Sequence, residues 1–435
     1  MGTNQLLGYS NKVFLYQFQG VNTFSIRFRY EFVEDIKIEE LKESIEEALK
    51  LYPEFRIKIV HKGNRFYSEE NDKPVAFFEG LNHEHVLGSE ETNRYLFYFM
   101  YEKKTLIVTH YHGMTDTKGI LTMMGTALYF YAKKTDVTLS NEEIDEIKGL
   151  VRTTKEDIPI KEQETFDPYG MLSDDNIAPK GIYSNLQCLF YPGKQYPDES
   201  REVYRCEIEF SLATLLKKTK EDNVSVTPLL ISVLSKALYQ MDGADKDRDV
   251  VAMMPVDLRK RLNINTLVNF SDGINVYMKK DDFNLSHKET AKLLKSRIID
   301  QMQRENFIKI ITDKVHMVQA FEESNEELKE LLKKNLIIPT PEFNPLSYAF
   351  TYPGNLNMAK GIDKLLNDMH YSICTRATFA TGSSFNDNFR LVTNCRCDDD
   401  SWAKNVIKDL KEIGIDAKLN VLGRVKGDVC NSIDM

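Results

Sequence analysis

The 435-residue chain reads as an α/β protein of two similar-sized halves, each alternating strands with helices. Three observations predict this. The first third switches repeatedly between a two-residue and a 3.6-residue apolar period, the signatures of strand and helix. A stretch from 135 to about 200 then loses that periodicity and scatters prolines (Pro159, Pro168, Pro179, Pro192, Pro197). From Tyr204 onward the alternation restarts. A length prior of roughly 150 residues per domain allows two or three domains. The expected division is a first lobe at 1–165, a crossing at 166–200 and a second lobe at 201–435. The interface between the halves is the first place to look for a site.

The elements follow in order. Thr23 to Phe32 is rich in aromatic and β-branched residues and reads as a strand. Ile38, Leu41, Ile45, Ala48, Leu49 and Tyr52 form one helical stripe, which Pro53 ends because its ring cannot continue the hydrogen-bond ladder. Phe55, Ile57 and Ile59 alternate with Arg56 and Lys58 as a half-buried strand. Gly63-Asn64 is a turn signal before a returning strand at Arg65 to Tyr67. Thr105 to Tyr111 is mostly apolar and reads as a central strand. Ile120, Met124, Ala127, Leu128 and Tyr131 make a second helical stripe, and Asn141 to Lys148 a polar helix. In the second half, Tyr204 to Phe210 alternates as a strand and Ser211 can cap the next helix. Thr227-Pro228 is a helix start. Val250 to Met254 and Gly273 to Met278 are strands. Ser286 with Glu289 makes a capping box for a helix expected to run past Met302. Phe350 to Val392 is strand and loop, and Ser401 to Ile413 an amphipathic helix.

Composition sets bounds on function. Hydrophobic residues make up 42% and charged residues 28%, an ordinary globular balance. There are 57 Lys plus Arg against 66 Asp plus Glu, a formal charge of -9. That acidity argues against a nucleic-acid partner, which selects for a basic face, but it leaves room for a local basic entrance. Apolar runs such as Val250 to Met254 are far shorter than the roughly 20 residues of a membrane span. The opening MGTNQLLGYSNK has no secretory apolar stretch, and Leu6 stands where a myristoylation signal wants Ser or Thr. Cys188, Cys206, Cys374, Cys395, Cys397 and Cys430 include no CxxC pair. Reduced thiols and a cytoplasmic location are expected.

The densest chemistry lies in Thr109-His110-Tyr111-His112-Gly113-Met114-Thr115-Asp116-Thr117-Lys118-Gly119. A histidine ends a buried strand, a tight turn follows, and an Asp four residues later opens a helix. Such a histidine can expose one ring nitrogen to a cleft while the other is held, as a general base requires. Asp116 can orient the loop, pair with an Arg or cap the helix. Other readings stay open on these residues alone. His112 can be a satisfied structural histidine, or His110, His112 and Asp116 can be metal ligands. A Ser-His-Asp hydrolase lacks its GxSxG elbow. His83-Glu84-His85 lies in a polar context and reads as surface.

Further segments extend the pattern. Tyr52-Pro-Glu-Phe-Arg56 follows the first helix, Pro255-Val-Asp-Leu-Arg259 precedes Asn269-Phe270-Ser271, and Ser347 to Gly354 and Phe389 to Ile415 close the chain. With His112-Gly-Met-Thr-Asp116, these resemble the superfamily of CoA-dependent acyltransferases with an HxxxD motif. That superfamily includes chloramphenicol acetyltransferase, the condensation domains of nonribosomal peptide synthetases and bacterial alcohol acetyltransferase-like proteins. The resemblance spans nearly the whole chain. It implies two chloramphenicol-acetyltransferase-like lobes, each a mixed β-sheet flanked by helices, with a channel between them. It implies an acyl group moved from a CoA or carrier-protein thioester to a hydroxyl or amine acceptor, with acyl-CoA as co-substrate and no permanently bound cofactor or metal. His112 would be the general base. Asp116 would pair with Arg259, or failing that Arg56, in a structural role. Ser271 or Asn269 would supply hydrogen bonds to the oxyanion. The alternatives are a freestanding condensation enzyme fed by a carrier protein and a condensation-like module that binds without catalysing.

Departures from the pattern are specific. The Gly that often follows the motif Asp is replaced by Thr117, with Gly119 two residues later. Tyr111 precedes the motif His, where many condensation domains carry another His. No DFGWG segment is present, which sets aside the plant BAHD enzymes, a further branch of that superfamily.

Overall fold

The computed structural model describes residues 5–17, 24–135, 137–155, 167–174, 176, 202–329, 346–375, 377–397 and 399–426. Most of the expected crossing at 166–200, and Cys188 and Cys430, lie outside the described residues.

The fold is mixed α/β in two lobes, each built on its own sheet. The first sheet has five strands in the spatial order Leu366–Cys374, Ser25–Phe32, Thr105–Tyr111, Phe97–Glu102 and Phe77–Glu79. Thr105–Tyr111 is the middle strand, and all seven of its residues are buried, as expected of a strand covered on both faces. The second sheet has seven strands: Ser271–Met278, Val250–Asp257, Tyr348–Thr351, Phe379–Phe385, Asn388–Cys395, Glu202–Ser211 and Lys418–Lys426. Most pairings are antiparallel, but Tyr348–Thr351 runs parallel to both neighbours, so this sheet too is mixed. A small third sheet joins Gln5–Leu6, Arg65–Glu70 and Ile57–Lys62.

The two sheets exchange chain. Leu366–Cys374, far into the second half, pairs antiparallel with Ser25–Phe32 from Leu366 opposite Phe32 to Cys374 opposite Ser25. The sheet begun by the first 165 residues is therefore completed by a strand from 201–435. Phe28 and Tyr371 stack across this pairing at 5.3 Å, and such cross-strand aromatic pairs help fix register.

The helices follow their apolar stripes, with local departures. Ile38–Leu49 buries Leu41, Ile45, Ala48 and Leu49, carries Glu39 and Glu40 in its first turn and stops before Pro53. Ser140 and Glu143 form a capping box on Asn141–Lys148, although only Ile147 of that helix is buried. The Thr227-Pro228 start is displaced: Ser225 is the N-cap and Val226 opens the helix, so Pro228 falls within the first turn, where its missing N–H costs nothing. The helix capped by Ser286 and Glu289 ends at Gln301 and does not run past Met302; a second helix, Arg304–Glu323, follows Gln303. The apolar period carries across this break, so the sequence pattern alone merges the two helices. Cys206 and Cys374 are buried, while Cys395 and Cys397 form a disulfide, contrary to the expectation of reduced thiols throughout. No helix of the described residues is long and apolar enough to cross a membrane.

Candidate active site

His112 follows the central strand Thr105–Tyr111 directly. Its backbone N–H donates to the Phe24 carbonyl at 2.9 Å, and Met114 closes a tight turn onto the Tyr111 carbonyl at 3.0 Å. The ring packs between Phe14 and Phe24, at centroid distances of 4.9 and 5.4 Å. Nδ1 lies 3.2 Å from the Thr115 carbonyl oxygen. A carbonyl can only accept, so Nδ1 carries the proton and Nε2 keeps its lone pair in the neutral ring. Nε2 has no hydrogen-bond partner among the described residues, and His112 lines a cavity of about 930 Å³. Burial holds the imidazole below its ordinary pKa; the Thr115 carbonyl and Asp116 oppose that shift, and the Lys314 ammonium adds to it. The net effect favours the neutral ring, the form that can accept a proton.

Asp116, which lines the same cavity, commits its carboxylate to the helix and the second lobe. It is the N-cap of the helix Thr117–Lys134, accepting from the Gly119 N–H at 3.2 Å. Its carboxylate takes two hydrogen bonds from Arg259, at 2.8 and 3.1 Å, and one from the Phe270 N–H at 3.0 Å. Burial alone would raise its pKa, but the Arg259 charge and these hydrogen bonds outweigh it and hold the carboxyl below the usual range. Arg259 spends its remaining donors on the Thr266 carbonyl at 2.7 Å, the Val268 carbonyl at 3.0 Å and Asp257 at 3.0 Å. All five guanidinium donors are thus used, and nothing on this pair is left to act on a ligand. Arg56 is elsewhere, paired with Glu46 at 3.3 Å.

The Asp116–Arg259 contact joins the lobes, and two neighbours reinforce it. Thr115 Oγ1 donates to the Leu267 carbonyl at 2.6 Å. A Cβ on Gly119 would fall 2.4 Å from the same Leu267 oxygen and 2.0 Å from Thr115 Oγ1. A glycine two residues after Thr117 therefore lets the 266–270 loop lie against the first turn of the helix. Its cause is close approach, since Gly119 is helical.

Ser271 lines the cavity, and its hydroxyl donates to Asn269 Oδ1 at 2.9 Å. Asn269 is buried, also accepts from the Ser271 N–H at 3.2 Å, and leaves Nδ2 without a partner among the described residues. Sequence reasoning missed a polar group beside them. Lys314 on the helix Arg304–Glu323 reaches both oxygens of Asp272, at 2.8 and 2.9 Å. Tyr169 donates to Asp272 at 2.8 Å from the segment entering the crossing. No motif spacing links positions 169, 272 and 314, so only the tertiary fold brings them together. His110 is fully buried against Phe28 rather than open to the cavity. His83 is exposed, but His85, expected at the surface, is buried: it stacks on Phe78 and bonds Glu91. Among the described residues, His110, His112 and Asp116 do not gather as a potential metal-ligand set.

The cavity draws walls from both lobes, with Phe14 and His112 on one side and Pro255, Ser271, Lys314 and Tyr352 on the other. This two-lobed α/β fold, with a cavity between the lobes, is shared with solved structures of a coenzyme A complex, an acetyltransferase and a peptide-synthetase domain. Particular structures make the likeness concrete. The F. sporotrichioides protein TRI101, crystallised with coenzyme A and T-2, is 12% identical with a TM-score of 0.62, over 96% of this chain and 100% of that one. TRI3, the trichothecene 15-O-acetyltransferase of Fusarium sporotrichioides, is 12% identical with a TM-score of 0.58, over 94% of each chain. The epimerization domain from the third module of tyrocidine synthetase B is 11% identical with a TM-score of 0.54, over 95% of this chain and 96% of that one. No protein-family model and no curated protein matches the sequence. At these identities the likeness establishes the fold.

Proposed function

We propose that the chain is an acyltransferase that moves an acyl group from a thioester to a hydroxyl or amine, with His112 as general base. One observation carries the reading: His112 has Nδ1 committed to the Thr115 carbonyl and an unpartnered Nε2, on a cavity walled by both lobes. Nε2 would accept the acceptor's proton as its oxygen or nitrogen attacks the thioester carbonyl. The tetrahedral oxyanion then needs a donor in a dry site. Ser271 is the cavity-lining candidate, through rotation of its hydroxyl away from Asn269. The intermediate collapses by breaking the carbon–sulfur bond, and the leaving thiolate takes the proton back from imidazolium. Asp116 and Arg259 touch neither reactant in this scheme; they hold the turn that carries His112 against the second lobe. Both lobes are required, so neither half is expected to work alone.

Coenzyme A in the TRI101 structure supports CoA as the donor, and the tyrocidine synthetase domain keeps a carrier-protein thioester as the second donor class. Purified protein offered a panel of acyl-CoAs with simple alcohols and amines should release free thiol, and His112→Ala should abolish the release. Equal silence of wild type and mutant with both CoA-linked and carrier-linked donors would favour a binding module instead.

A further inference from the structure

We propose a structural transition-metal site in the outer helical layer of the second lobe, with His287, Asp409 and Glu412 as ligands and Zn²⁺ the best-suited ion. It is separate from the His112 cavity: a second cavity of about 730 Å³, lined by His287, Glu412 and Lys236 among others, shares no lining residue with the first.

The geometry suits a small metal ion. One ligand atom from each of the three side chains lies within 4.8 Å of the others, and His287 Nε2 is 3.7 Å from Asp409 Oδ2. Zn²⁺ with bonds of about 2.0–2.1 Å places neighbouring tetrahedral ligands about 3.4 Å apart, so the buried pair is already close to that spacing. Glu412 is exposed and free to swing inward, and the cavity leaves room for water as a fourth ligand. Asp409 and Glu412 stand three residues apart on the helix Ser401–Glu412, hence on one face.

Three further observations point to a bound cation rather than to an ordinary polar cluster. His287 is about nine-tenths buried, yet Nε2 has no hydrogen-bond partner among the described residues. Asp409 is completely buried, and no Lys or Arg lies in ion-pair contact with it among the described residues. Its donor is Gln240, at 3.1 and 3.4 Å. The nearby Lys236 turns its ammonium to the Leu285 carbonyl instead. A buried carboxylate without a cation is costly. The outer partners are also those of a metal centre: Ser232 Oγ lies 3.0 Å from His287 Nδ1 and can hold the ring with Nε2 free to ligate, and Gln240 orients the carboxylate. An imidazole with two carboxylates selects a borderline ion over Mg²⁺ or Ca²⁺. Bound there, the ion would tie the helix His287–Gln301 to Ser401–Glu412, with Val226–Tyr239 behind them through Ser232.

The test uses the full-length chain, stripped with chelator and dialysed. Calorimetric titration with Zn²⁺ should show one site per chain, and Zn²⁺ should raise Tm while Mg²⁺ at the same concentration does not. Co²⁺ in its place should give the visible absorption of a tetrahedral centre. Glu412→Ala removes an exposed side chain, so it should fold normally and lose the site. Ser232→Ala keeps all three ligands and should weaken binding by about 10–100-fold. Absence of one-to-one binding would overturn the proposal, as would Zn²⁺ affinity unchanged in Glu412→Ala. An affinity equal to wild type in Ser232→Ala would do the same, because it would mark surface chelation rather than a supported centre. None of these readouts depends on acyl transfer.

Discussion

His110 and His112 stand two residues apart at the end of one strand, yet their surroundings divide them completely. His110 is sealed in the sheet against Phe28 with neither ring nitrogen in hydrogen-bond contact among the described residues, and burial pushes its pKa down to about 3. His112 lies one step beyond the last strand residue, where the turn lifts its ring between Phe14 and Phe24 to the cavity edge. Both favour the neutral ring. What differs is access: one neutral imidazole is sealed in the core, and the other lines the interlobe cavity, as the proposed base must. A neutral ring therefore does not separate the two histidines; an open lone pair with a fixed tautomer does.

Replacing each member of this region should sharpen the contrast. His112→Ala carries the largest expected loss, a fall of about 10²–10⁴-fold in thiol release, with thermal unfolding little changed because the ring borders a cavity. A parallel fall in Tm would make His112 a structural residue like its neighbour. Asp116→Ala should leave the buried Arg259 with only the half-exposed Asp257 as a counter-charge and destabilise the protein by about 3–5 kcal/mol, read from denaturant midpoints. Replacing both partners together, as Asp116→Leu with Arg259→Met, should cost less than Asp116→Ala alone. Gly119→Ala should cost about 1–3 kcal/mol by pushing against the Leu267 carbonyl, although alanine is the better helix former. No loss of stability in Gly119→Ala would mean that the lobes meet less closely at this point.

The smallest effects are in pH. Burial keeps His112 neutral below the ordinary imidazole range, so the acid limb of kcat/KM should fall at a pH lower than a solvent-exposed histidine would give. A limb at or above the ordinary value of 6.5 would contradict the burial of the ring. For His110, the unfolded chain takes up a proton near 6.5, whereas the folded residue resists down to about 3. The unfolded state therefore binds more protons in that window, and this contribution to stability is full above 6.5 and shrinks as pH falls toward 3. His110→Phe keeps a ring of similar size against Phe28 and removes the titration. The variant should match wild type within about 1.5 kcal/mol at neutral pH and gain on it steadily as the solution is acidified. Parallel stability curves from pH 7 to 4 would sink this account.

Much of the fold was legible because its signals are local. The stripe from Ile38 to Leu49, the alternation at Tyr204 to Phe210 and the Ser286–Glu289 capping box depend on side chains a few residues apart. The boundary errors are local too. At Met302-Gln303 the apolar period continues while the backbone breaks, and at Thr227-Pro228 the cap moves two residues upstream to Ser225. By itself the sequence determined the two mixed α/β halves and a histidine on a strand-to-helix turn, followed by an Asp able to cap. Only the tertiary structure decided what those groups meet. The fifth strand of the first sheet comes from 366–374, the Asp116 carboxylate finds Arg259 143 residues away, and Lys314 and Tyr169 meet on Asp272 from three separate elements. Such pairings carry no period or spacing in one dimension. Burial settles them, because a carboxylate taken out of water must find its donors wherever the folded chain brings them.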